Sequence, residues 1–213
     1  MKRVQTKICG ISTPETLAAA LAHGASHIGF VHFAKSPRHI DTGLARALGG
    51  RCPAHVRRVL LLVNPHPADA ARLADEAGAD ILQLHGDEAP AQLSAIKALT
   101  GLELWKAVPV RTSADLNATA QWRGVADRLL YDAKPPAGSD LPGGNGLRFD
   151  WMLLQGHRHA LPWALSGGLD PANVAEAIGT TGATLVDVSS GVESSPGIKD
   201  VDKIAAFLKA ASS

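Results

Sequence analysis

Cysteine is scarce in this chain: Cys9 and Cys52 are the two in 213 residues. Two thiols are too few for a disulfide framework, and neither sits in a metal-ligand spacing. Long apolar runs are missing as well. None approaches the roughly 18–20 residues needed to span a bilayer, and Met1–Thr6 leads into an apolar run with no signal-peptide core or cleavage site. Charge of one sign is also lacking. The formal net charge is +1, with no block of like charges, which argues against a broad electrostatic footprint for nucleic acid while leaving room for a local pocket for a small anion. Linkers and low-complexity segments are absent. These absences lead us to expect one domain over residues 1–213, cytoplasmic, with reduced thiols and with neither nucleic acid nor membrane as a partner. A chain of this length buries roughly 70% of the surface its unfolded form exposes.

What is present is an alternation. Eight short apolar runs end in K-I-C-G (Lys7–Gly10), K-S-P-R (Lys35–Arg38), L-L-V-N (Leu61–Asn64), Q-L-H-G-D-E (Gln83–Glu88), W-K-A-V-P (Trp105–Pro109), L-Y-D-A (Leu130–Ala133), A-L-S-G-G-L (Ala164–Leu169) and V-D-V-S-S-G (Val186–Gly191). Ala/Leu-rich stretches of helical character separate most of them. Near-continuous Val, Ile and Leu is what parallel strands covered on both faces require. The alternation predicts an α/β fold, a compact (β/α)8 barrel (TIM barrel), whose active site is built from the loops after the strands. The chain is short for that fold, which usually needs about 250 residues, so loops and some helices must be trimmed. Predicted strands cover Val4–Cys9, His27–His32, Val56–Val63, Asp80–Leu84, Glu103–Val108, Arg128–Asp132, Trp163–Ser166 and Leu185–Val188. The first helix starts at Thr13-Pro14, with Thr13 as cap and Pro14 in the first turn. Further helices are predicted at Pro67–Ala77, Pro90–Leu99, Ser113–Gln121, Pro171–Ile178 and Val201–Ala210, with Gly78, Gly101 and Gly179 as C-terminal stops. Lys134–Arg148, rich in proline and glycine, forms no regular element. A loop of that length directly after Asp132 favours a functional role.

Reactive side chains gather at the strand ends. Successive residues of a strand face opposite sides, so Lys7 and Cys9 face inward with Ile8 outward. The same parity turns Gln83, His85, Leu130, Asp132, Asp187 and Ser189 inward, and Val186 and Val188 outward. A thiol, an imidazole and two carboxyl groups thus meet at the barrel mouth, and the chain reads as an enzyme. Each residue also has a plainer reading. Cys9 could be a small buried hydrophobe, but its strand-end position before Gly10 points to function, and the Lys7 ammonium is expected to favour its thiolate. Cys52 reads as incidental. Asp132 could cap a loop. His85 is either a structural histidine or a ligand contact, and is not taken as catalytic. Lys35 and Arg38 form a solvated basic loop or, through the Arg38 fork, a carboxylate reader. The turns Ser166-Gly167-Gly168 and Ser189-Ser190-Gly191 close the last two strands, where barrels of this class frequently bind phosphate. Glycine lets backbone N–H groups approach an anion, so the expected ligand is a small phosphorylated molecule.

Taken together and in order, K-I-C-G-I (Lys7–Ile11), G-F-V-H-F-A-K-S-P-R (Gly29–Arg38), L-Q-L-H-G-D-E (Leu82–Glu88), W-K-A (Trp105–Ala107), L-L-Y-D-A (Leu129–Ala133), F-D-W (Phe149–Trp151), L-S-G-G-L (Leu165–Leu169) and V-D-V-S-S-G-V-E (Val186–Glu193) resemble the phosphoribosylanthranilate isomerase family of tryptophan biosynthesis over the whole chain. The resemblance implies an Amadori rearrangement of N-(5-phosphoribosyl)anthranilate to its 1-deoxyribulose form, with no cofactor and no metal. It implies Cys9 as general base and Asp132 as general acid. It gives Arg38 the anthranilate carboxylate, sets Asp187 near the amine, and assigns the Gly168 and Ser190-Gly191 turns to phosphate. Lys7, His85 and Gly167 are taken as further substrate contacts. The loop Gly143–Gly146 resembles the family's glycine-rich cover, with departures at Asn145 and Leu147-Arg148. His32 and His39 stand where aromatic residues are common. A monomer or a homodimer is expected. Two other readings remain at this stage: a related sugar-phosphate isomerase of histidine biosynthesis or a dual-substrate enzyme, and a non-catalytic phosphate-ligand-binding barrel.

Overall fold

The computed structural model describes residues 4–134, 141–144 and 146–212. Eight parallel strands close into a barrel in chain order: β1 (Gln5–Cys9), β2 (His27–Val31), β3 (Arg57–Leu62), β4 (Ile81–Leu84), β5 (Glu103–Val110), β6 (Arg128–Ala133), β7 (Trp163–Leu165) and β8 (Leu185–Val188), with β8 pairing back to β1. Helices α1 (Pro14–Ala22), α2 (Thr42–Gly49), α3 (Pro67–Ala77), α4 (Pro90–Thr100), α5 (Ser113–Asn117), α6 (Val174–Thr181) and α7 (Val201–Ala210) surround it. No helix of the described residues is long and apolar enough to cross a membrane.

The parity of the strands sorts the core into two kinds. Ile8, Phe30, Leu60, Leu82, Leu129, Val186 and Val188 pack outward in the large cluster shared with the helices. Val59, Ile81, Trp105, Leu130 and Leu185 fill the barrel interior, and Cys9, Val31 and Leu61 form a separate cluster. The barrel is therefore a packed core whose mouth is lined by the last inward residue of each strand.

Local chemistry sets the helix boundaries. Thr13 Oγ1 accepts from Thr16 N at 3.3 Å with Pro14 in the first turn of α1. Asp200 Oδ1 accepts from Asp202 N and Lys203 N at 2.9 and 3.0 Å to start α7. Gly78 and Gly101 stop α3 and α4 as expected. Other boundaries differ from the sequence reading. Gly179 lies inside α6, which begins at Val174 rather than Pro171 and stops at Gly182. The stretch expected as one helix from Ser113 tightens after Asn117 into a 3-10 turn, Ala118–Trp122. The sequence reading omitted α2, whose glycines at 43 and 49 obscure a helix capped by Asp41. Trimming falls between β6 and β7, where the described residues carry the short 3-10 turn Trp151–Leu154.

One buried ion pair braces the loop after β4. Lys106 and Glu88 are both 3% exposed and meet at 2.8 Å. Glu88 also accepts from the N–H groups of Asn64 and Gly86 at 2.9 and 3.0 Å. Removing one partner of such a pair strands a buried charge, so Glu88→Ala is expected to lose about 3–5 kcal/mol, read as a lower urea midpoint with an unchanged slope.

Candidate active site

β1 and β8 are neighbours, and their register sets Lys7 beside Asp187. Lys7 Nζ donates to Asp187 Oδ1 and Oδ2 at 3.0 and 3.1 Å, with Lys7 wholly buried. A lysine survives there because its charge is paired and hydrogen-bonded. Burial works against the ammonium, but Asp187 and Cys9 outweigh it and hold the Lys7 pKa above its ordinary value. Lys7 does not line the pocket at the barrel mouth, whereas Asp187 does.

Cys9 ends β1 and faces the pocket at 4% exposure. Burial pushes its thiol above the ordinary value; Lys7 opposes the shift and Asp187 adds to it. Lys7 acts in the expected direction, but the net shift is upward, because loss of hydration around a buried thiolate exceeds the attraction of a cation already matched to Asp187. Gly29 on β2 stands opposite Cys9, and a Cβ there would lie 3.0 Å from both Cys9 Sγ and Lys7 Cε. The sequence reading did not single out Gly29; a glycine inside a strand was the available signal.

β4 and β6 supply a connected chain. Gln83 Nε2 and His85 Nδ1 lie 3.1 Å apart, and His85 Nε2 lies 3.2 Å from Asp132 Oδ2. Asp132 Oδ1 accepts from Ala133 N at 2.8 Å. His85, left open by the sequence, thus sits against the Asp132 carboxyl. Residues 141–144 cover the pair: a Cβ on Gly143 would come within 2.5 Å of His85 Nε2 and 2.6 Å of Asp132 Oδ2.

Arg38 is 6% exposed, so it is no solvated loop cation. Its Nε and Nη2 donate to Glu193 Oε1 and Oε2 at 2.7 and 2.9 Å, and Nη2 also reaches Gly144 O at 3.2 Å. The edge expected to read a carboxylate is occupied by Glu193, which leaves Nη1 as the nitrogen not bound to it. Glu193 opens a hairpin after β8, formed by β9 (Glu193–Ser195) and β10 (Ile198–Lys199). Burial raises the Glu193 carboxyl, but Arg38 and Lys199 overcome it and hold the pKa below its usual range. Glu193 and Lys199 were missed as site residues, although Glu193 closes the last of the motifs.

The turns after β7 and β8 meet at the same mouth. Gly167 and Gly168 adopt φ of +86° and +63°, which side-chain-bearing residues rarely take. A Cβ on Gly167 would press on Ala133 N at 2.7 Å, and one on Gly168 would strike Arg148 and the Leu147 carbonyl. The Leu147-Arg148 departure therefore lies directly over this turn; Asn145 falls outside the described residues. Gly191 abuts the Leu169 carbonyl, which joins the two turns, and Ser190 opens a short helical turn, Ser190–Val192, whose first N–H groups have no intrahelical partners. Gly167, Gly168 and Ser190 line the pocket.

Fold and pocket define a (β/α)8-barrel enzyme with a thiol and a carboxyl group facing one mouth cavity. Comparison with known proteins narrows that class. The family model for N-(5'phosphoribosyl)anthranilate (PRA) isomerase matches residues 6–210, and the chain belongs to this family. An N-(5'-phosphoribosyl)anthranilate isomerase of Zymomonas mobilis subsp. pomaceae is 52% identical over 208 residues, covering 97% of each chain. One from Parvibaculum lavamentivorans is 53% identical over 211 residues, covering 98% of each. Among solved structures, phosphoribosyl anthranilate isomerase from Thermotoga maritima superposes with a TM-score of 0.88 at 36% identity, covering 98% of each chain. A phosphoribosyl anthranilate isomerase in complex with reduced 1-(o-carboxyphenylamino)-1-deoxyribulose 5-phosphate gives 0.85 at 34% identity, again over 98% of each chain. The histidine-pathway and binding-barrel readings are not favoured by these matches.

Proposed function

We propose that this protein isomerises N-(5-phosphoribosyl)anthranilate to 1-(2-carboxyphenylamino)-1-deoxyribulose 5-phosphate in tryptophan biosynthesis, with Cys9 as base and Asp132 as acid. The observation that carries the assignment of roles is that Cys9 and Asp132, from β1 and β6, line one pocket together with Gly167, Gly168, Ser189 and Ser190, whereas Gly191 lies outside that lining. In this reading Asp132 donates its proton to the ring oxygen as the C1–O bond breaks, and the nitrogen lone pair forms the C1 iminium. The Cys9 thiolate then removes the C2 proton, and those electrons reduce the iminium to the enolamine. Protonation at C1 and loss of the hydroxyl proton give the ketone. Asp187, paired with Lys7, lies next to the Cys9 side of the pocket and is suited to the amine. The Gly168 and Ser190-Gly191 turns are suited to the phosphate. His85 holds the Asp132 carboxyl and contacts the substrate side of the cavity. No step calls for a metal or cofactor. The protein acts in the cytoplasm as a monomer or homodimer, and homologues of the dimeric kind are represented by the enzyme of Thermotoga maritima.

The deciding test is turnover of phosphoribosylanthranilate by purified protein, with no added cofactor or metal, followed as loss of substrate fluorescence. Rapid loss is expected. No loss from folded protein and intact substrate would overturn the reading. Arg38→Ala is expected to raise KM by tenfold or more with a smaller change in kcat, because a charge-assisted contact to the carboxylate is lost. An unchanged KM would remove Arg38 from that role.

A further inference from the structure

Arg38, Glu193 and Lys199 form a buried cluster at the pocket rim, and its charges do not cancel. Lys199 Nζ donates to Glu193 Oε1 at 2.6 Å, to Ser189 O at 3.0 Å and to Ser189 Oγ at 3.3 Å. Three acceptors around one nitrogen match the three N–H bonds of an ammonium; a neutral amine has only two. With Lys199 charged, the cluster holds two cations and one carboxylate. Both Glu193 oxygens accept from Arg38; Oε1 also accepts from Lys199, and Oε2 accepts from Gly197 N at 3.3 Å. Gly197 packs on the carbonyl of Pro37, so the hairpin is seated on the loop that carries Arg38.

We propose that Lys199 is a positioning residue for substrate selection: by neutralising Glu193 it leaves the Arg38 charge available to the aryl carboxylate of the substrate. The inference rests on the isomerase reading above. An arginine held edge-on by a glutamate is a neutral pair. An anion approaching its remaining nitrogen would meet attraction from the guanidinium and repulsion from the glutamate behind it. In a site shielded from water these terms are of comparable size. A second cation on the same glutamate, sharing Oε1 with Arg38 Nε, restores one net positive charge while Glu193 still fixes the guanidinium plane. Lys199 itself, seated on Ser189 O and Glu193, need not touch the substrate to do this. The β9–β10 hairpin then belongs to recognition of the anthranilate ring rather than to barrel closure, which is complete at β8.

The test compares two substrates, N-(5-phosphoribosyl)anthranilate and the N-(5-phosphoribosyl)aniline analogue without the carboxylate. Lys199→Met is expected to raise KM for the first at least tenfold and for the second less than twofold. Lys199→Arg should restore the parent ratio. Lys199 also lies among the charges that act on the Cys9 thiol, but both substrates need the same base, so that influence cancels in the ratio. The double variant Glu193→Gln, Lys199→Met removes the stranded carboxylate along with the lysine and guards against failure to fold. It should recover discrimination relative to Lys199→Met alone. Equal losses on both substrates, or no loss on either, would overturn the proposal. If the parent turns over neither substrate, the isomerase reading fails and the inference falls with it.

Discussion

Cys9→Ala is expected to reduce turnover of phosphoribosylanthranilate by about 10²–10⁴-fold, the usual contribution of one positioned proton-transfer group. The substitution takes a single sulfur from the inner cluster of Cys9, Val31 and Leu61, so the thermal midpoint should fall by only a few degrees. A lost rate with a retained fold separates chemistry from packing. The pH dependence gives a second reading of the same residue. The base works as thiolate, and burial raises the thiol above its ordinary value with Lys7 and Lys199 opposing and Asp187 reinforcing. Activity limited by this group is therefore lost as pH falls, and kcat/KM should climb with pH along a limb lying on the alkaline side of a free cysteine. A limb in the carboxylate range, or near-parental rates in Cys9→Ala, would remove Cys9 as the base.

Asp132→Asn should be of similar size, again about 10²–10⁴-fold in kcat. Asparagine keeps the shape and can still accept from Ala133 N through its carbonyl oxygen, but its amide cannot deliver a proton to the ring oxygen. The substitution also tests the Gln83–His85–Asp132 chain, because an amide nitrogen placed toward His85 Nε2 reverses the direction of that hydrogen bond. Substrate affinity should change little, since the assigned carboxylate and phosphate contacts lie elsewhere. A variant that loses binding rather than rate would make Asp132 a substrate anchor instead of the acid.

Much of this site was legible from strand parity alone. Lys7 and Cys9 share a face because they are two residues apart, and Ile8 lies outward in the helix-facing cluster. Asp187 could be set beside Lys7 only after the barrel closed, because the two are 180 residues apart in the chain. The same limit hid Glu193 as the partner of Arg38, a contact spanning 155 residues. A motif reading marks residues that bear chemistry; it does not say which of them neutralise each other. Lys7 illustrates the consequence. Its position suggested a cation activating the neighbouring thiol, yet its charge is matched to Asp187 and burial sets the direction of the Cys9 pKa.

The sequence by itself determined the eight strands, their inward residues and the glycine turns, because period-two patterning and turn chemistry are local properties of the chain; the family came from the resemblance of its ordered motifs. The tertiary structure decided which buried charges pair, how far each titrates from its ordinary value, and that the Arg38 guanidinium is held by Glu193 and Lys199. Those outcomes depend on desolvation and on through-space distances, which no local pattern encodes.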